Sequence, residues 1–132
     1  MTKRSHAREV AFQVLYQDDL NPGGNPAVLD AFISEHIPNE GAAEFARSLV
    51  AGARRNRPEI DAALNATADN WTLERMAATD RNILRLAAFE LLHTDTPRAV
   101  AIDEAIELAK RFGSAQSAQF VNGILDRLVP PA

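Results

Sequence analysis

Arg4, Arg8, Phe12 and Tyr16 stand four residues apart in the first stretch of the chain, along one slowly drifting line of a helix face. Cations followed by aromatic rings are what single-stranded RNA binding uses: the cations contact phosphate and the rings stack on exposed bases. The same residues admit a plainer reading, in which the rings pack on a neighbouring helix and the arginines form a solvated end. A second group lies near the other end of the chain, where Gln116, Gln119, Phe120 and Asn122 surround an apolar stripe without belonging to it. Side-chain amides read base edges and a ring can stack, although a core phenylalanine among surface amides would account for the pattern too.

Other chemistries find little support. There is no Gly-rich phosphate loop, no H-E-x-x-H, no G-x-S-x-G and no CxxC. His6, His36 and His93 lack ligand spacing with one another, so no metal site is expected. Pairs such as Asp18 with Asp19 and Asp103 with Glu104 fit solvated faces and helix starts. Glu90 sits between Phe89 and Leu91 in an apolar run, and a buried carboxylate needs a partner, so an ion pair with an arginine elsewhere is expected for it. The residues predict no enzyme.

The length of 132 residues suits one domain over residues 1–132 with a core of its own. Cysteine is absent, which fits a reducing compartment. No apolar run approaches the roughly 20 residues of a membrane helix, and the N-terminus lacks the apolar segment of a secretory signal. A soluble, unexported, cytoplasmic protein is expected. The net charge of -4 argues weakly against nucleic-acid binding, but the charge is segregated. Residues 1–8 hold Lys3, Arg4, His6 and Arg8 and no acid, whereas residues 9–46 hold seven acids and neither Lys nor Arg. A basic tip can exist on an acidic protein.

The elements that must carry these residues all read as helices. Ala7, Val10, Ala11, Val14 and Leu15 form the core stripe of a helix over about residues 4–19, which opens on its basic end although the backbone dipole favours acids there. "NPGGNP" at 21–26 breaks the chain. A second helix is expected to stop near Pro38. A third would end on Arg54 and Arg55, as the dipole favours, and a short one would run from Pro58 through Leu64. In "DRNILRLAAFELL" the residues Leu84, Ala87, Ala88 and Leu91 share a face, with Thr79 or Asp80 as the expected cap. "AVAIDEAIELAKRFG" is a helix ending at Gly113, and the last helix is expected to be capped by Ser114 and stopped by Pro130 and Pro131. Gly123 in mid-helix costs about 1 kcal/mol against Ala, which predicts close approach of another helix or backbone. No segment alternates as a strand does, so the fold class is all-α, a compact bundle of about seven helices.

Three stretches together, "AREVAFQVLYQ", "DRNILRLAAFELL" and "VAIDEAIELAKRFGSAQSAQFVNGILD", in this order over nearly the whole chain, resemble the NusB family of bacterial transcription antitermination factors. The last stretch is the most specific. The resemblance implies a helical protein that binds boxA RNA of ribosomal operons together with NusE, a small-subunit ribosomal protein. That complex helps RNA polymerase resist premature termination. No reaction and no cofactor are implied. The family's RNA-contacting arginine-rich region falls on Lys3, Arg4, His6 and Arg8, its first-helix tyrosine on Tyr16, and its segment before "FVNG" on Gln116, Gln119 and Phe120. The partner surface falls on Glu74 and Asp80, acidic groups suited to a basic ribosomal protein. Ser5 and His6 thin the arginine run, and Gln116 stands where an acid is common, which implies RNA binding that is weak alone and strengthened by a second protein. A homodimer could bury the same surface. Two rivals are the same fold as an appendage of a ribosomal RNA cytosine methyltransferase and a helical protein-interaction module. The first is disfavoured because the sequence shows neither a cofactor-binding domain nor a cysteine.

Overall fold

Seven helices account for most of residues 2–131, the part of the chain that the computed structural model describes. They are α1 (Lys3–Leu20), α2 (Pro26–His36), α3 (Glu40–Arg55), α4 (Arg57–Thr67), α5 (Ala78–His93), α6 (Arg98–Phe112) and α7 (Ser117–Leu128), with a 3-10 turn at Leu73–Arg75 before α5. The described residues contain no strand. This is the expected all-α bundle.

Local chemistry explains most of the boundaries. The Thr2 hydroxyl accepts from the Ser5 N–H at 2.9 Å and so caps α1. Asn25 caps α2 by accepting from Ala27, and Asn39 caps α3 by accepting from Ala42. Arg54 and Arg55 do occupy the last turn of α3, and Gly113 does end α6. Two expected caps fall elsewhere. The cap position of α5 is Ala77, with Thr79 and Asp80 inside the first turn, and that of α7 is Gln116. Ser114 instead donates its backbone N–H to the Ser117 hydroxyl at 2.9 Å, so the turn after Gly113 is tied up before α7 begins.

Helix α5 is the axis of the bundle, packed against α1, α3, α4, α6 and α7. Residues 82–90 are all buried. A helix enclosed on every side has no solvent face, so the single stripe read from the sequence understates its burial. Its polar members must then find partners inside. Asn82 donates to Asp19 of α1, Arg85 donates to Asp61 of α4, and Glu90 pairs with Arg8 of α1. Both ends of α1 are thereby fastened to α5. On the far side α3 comes close because position 52 is glycine: a Cβ there would overlap the Phe89 ring. Gly123 behaves otherwise. It is exposed, and a Cβ on it would meet nothing within 4 Å, so the expected close approach inside the molecule is absent.

Candidate nucleic-acid interface

The first turn of α1 carries Lys3 and Arg4 into solvent and holds the rest of the basic run against the protein. The Arg4 guanidinium lies 4.3 Å from the centre of the Phe45 ring, within cation–π range. Ser5 donates to a Glu104 carboxylate oxygen at 2.7 Å. His6 approaches the His36 carbonyl with Nε2 at 3.0 Å, which requires the proton on that nitrogen, and its Nδ1 lies 3.8 Å from Glu9. Arg111 of α6 lies 3.2 Å from the other Glu9 oxygen. The unfavourable placement of cations at a helix N-terminus is thus offset by carboxylates from α1, α5 and α6.

Arg8 requires a correction. It is only 4% exposed, and its Nε and Nη2 donate to the two oxygens of Glu90 at 2.8 and 2.9 Å. Thr96 donates to the same carboxylate at 3.0 Å, and Glu104 lies 3.8 Å from the guanidinium. Arg8 is therefore the partner that Glu90 needed, and a bidentate buried guanidinium has its donors turned away from solvent. It braces the tip from within and does not present a surface cation. The four-residue row breaks up for the same reason. Phe12 is buried, 5.2 Å ring to ring from Phe112, and Tyr16 is half-buried 6.1 Å from Phe12.

Tyr16 reaches the surface in the wall of an apolar groove of about 860 Å³, lined among others by Phe12, Val28, Leu29, Phe32 and Phe112. Val28 is 64% exposed there. Thr79, at the start of α5, also lines the groove, and Asp80 follows it in the first turn of that helix. One Asp80 oxygen is buried without a hydrogen-bond donor, in the first helical turn where the dipole favours its charge. Glu74 is not gathered with these residues. It is exposed on the 3-10 turn and lines a separate polar cleft with Asp19, Arg57, Arg81 and Arg85. In that cleft burial tends to raise the Asp19 carboxyl. Hydrogen bonds from Asn82 and Arg81 and the charges of Arg81 and Arg85 outweigh it, so the carboxyl is held below the usual carboxylate range.

At the start of α7, Gln116 and Gln119 are exposed and Phe120 is half-buried, its ring edge-on to Trp71 at 5.8 Å. Helix α6 packs against both α1 and α7 and connects the two groups. Its exposed Lys110 and Arg111, in the last turn where the dipole favours cations, add positive charge between them. Trp71, in the loop before the 3-10 turn, is an exposed ring beside this group. Its only sequence signal is a large ring in a polar loop, "DNWTLER", outside any apolar stripe.

An all-helical bundle with a braced cationic helix end, exposed amides and an apolar groove has the features of a helical binding protein. Known proteins narrow the class: the NusB family model matches residues 5–130, and the chain belongs to the NusB family. The transcription antitermination protein NusB of Anaeromyxobacter dehalogenans is 47% identical over 135 residues, covering 99% of this chain and 95% of that one. A solved T. maritima NusB superposes with a TM-score of 0.86 at 39% identity, covering 97% of this chain and 91% of the other. A structure described as antitermination factors NusB and NusE in complex with dsRNA matches with a TM-score of 0.85 at 33% identity, covering 97% and 96%.

Proposed function

We propose that this chain works as one RNA-binding unit that recognises boxA-type RNA of ribosomal operons together with NusE, within the antitermination complex of RNA polymerase. The observation that carries the reading is the exposed first turn of α1. Lys3 and Arg4 stand free for phosphate while the buried Arg8–Glu90 pair holds the turn in place. The relative solved with NusE and RNA supports it, since this chain covers 96% of that protein. Lys3, Arg4 and His6 supply the phosphate contacts, and Gln116, Gln119 and Phe120 meet bases. NusE docks at the groove beside Tyr16 and Asp80, with Glu74 as a further acidic contact for a basic protein. No reaction is catalysed, and the protein acts in the cytoplasm, where nascent RNA is made.

Two exposed cations neutralise few phosphates, so RNA binding is weak alone and gains from the second protein. Fluorescence anisotropy with labelled boxA RNA and a scrambled control, each with and without NusE, tests the reading. Preference for boxA that strengthens with NusE is expected. Equal binding of the two RNAs under both conditions would leave a protein-interaction module as the better description.

A further inference from the structure

Trp71 is the single tryptophan of the chain, and it is 50% exposed. It lies in the loop between α4 and the 3-10 turn, with its ring nearly perpendicular to Phe120 of α7, at 77°. An indole left half in water forfeits much of the burial that a ring of its size can supply, so folding alone does not explain the residue type. Along α7, residues 120, 123 and 127 share a face. The middle one is Gly123, exposed, with open space where a Cβ would stand. A glycine in mid-helix weakens the helix, and no close packing within the molecule compensates for this one. Arg127, 52% exposed, reaches back to Asp69, two residues before Trp71, at only 3.6 Å. The exposed amides of Gln119 and Asn122 stand next to Gly123 on the helix. The result is a notch floored by bare helix backbone, with an aromatic pair on one side and a loosely held guanidinium on the other.

We propose that Trp71, together with Phe120, is a stacking shelf for a base of single-stranded RNA, the notch at Gly123 admitting the nucleotide and Arg127 meeting its phosphate. The inference rests on the RNA reading above and adds to it a contact separate from the cationic first turn. An aromatic face accepts any base, so stacking on Trp71 contributes affinity with little dependence on sequence or salt, whereas the phosphate contact of Arg127 adds to the salt slope.

The lone tryptophan makes the test direct. Its emission is expected to be quenched as boxA RNA is added to the chain. Trp71→Ala should lower RNA affinity about tenfold at fixed salt, within the range for loss of one stacked base, and leave the salt slope unchanged. Trp71→Phe should retain most of the affinity. Gly123→Ala should raise the Tm, because it repairs the helix, and weaken RNA binding, because it fills the notch; a folding defect cannot produce that combination. RNA binding with unquenched emission, unchanged affinity in Trp71→Ala, or weakened NusE docking with RNA affinity intact would overturn the shelf. If the parent chain binds neither boxA RNA nor the scrambled control, with or without NusE, the RNA reading itself fails and the shelf with it; equal binding of both RNAs would sink the boxA reading and leave the shelf to the Trp71 variants.

Discussion

Replacing Arg8 by Met leaves the Glu90 carboxylate, 2% exposed, with only the Thr96 hydroxyl as a side-chain donor. Removing one partner of a buried ion pair leaves an uncompensated charge in the interior, at a cost of roughly 3–5 kcal/mol. Arg8→Met should therefore destabilise by about 3–5 kcal/mol in urea unfolding at pH 7. Glu90→Gln should cost less, because Arg8 keeps Glu104 within 3.8 Å. The double variant Arg8→Met/Glu90→Met removes both charges and should recover about 2 kcal/mol or more relative to Arg8→Met. It should also bind RNA nearly as the parent does, since Arg8 is braced inside. A cost below about 1 kcal/mol for Arg8→Met, additive costs in the double variant, or a loss of RNA affinity matching removal of Lys3 and Arg4 would refute this account.

Lys3→Ala/Arg4→Ala should weaken RNA binding and flatten the dependence of log K on log salt by about 0.7 for each phosphate left without its cation; an unchanged slope would remove these residues from the interface. Gly52→Ala should destabilise by about 1–3 kcal/mol, since its Cβ displaces the Phe89 ring and α3 must move from α5, which urea titration reads directly. Asp19, whose carboxyl is held below its ordinary value by its partners, contributes stability that is present above the unfolded value of about 3.9 and lost as pH falls through the lower folded value. Asp19→Asn should accordingly fall furthest behind the parent in Tm at neutral pH, with the gap closing below about pH 4.

The helices are legible in the sequence because their signals are local. The stripe from Ala7 to Leu15, the breaker at residues 21–26 and the stop at Gly113 depend only on residues within a turn or two of one another. The caps of α5 and α7 fall a few residues from the expected positions for a related reason. Thr79, Asp80 and Ser114 are all competent capping types, and the choice among neighbours is settled by where the preceding loop enters the bundle.

Sequence by itself determined the fold class, the segregation of charge and the need of Glu90 for an arginine, each of which follows from residue type and short-range spacing. It could not determine which arginine. Arg4 and Arg8 share a type, a helix and a row, yet one stands in solvent and the other is bound on two oxygens by a carboxylate 82 residues away. Tertiary structure alone decided that, as it decided that Phe12 is core, that Gly123 faces open space and that Trp71 is left half in water. The physical reason is common to all four. A helix fixes the direction in which a side chain leaves the backbone, but the groups it meets are set by the packing of other helices.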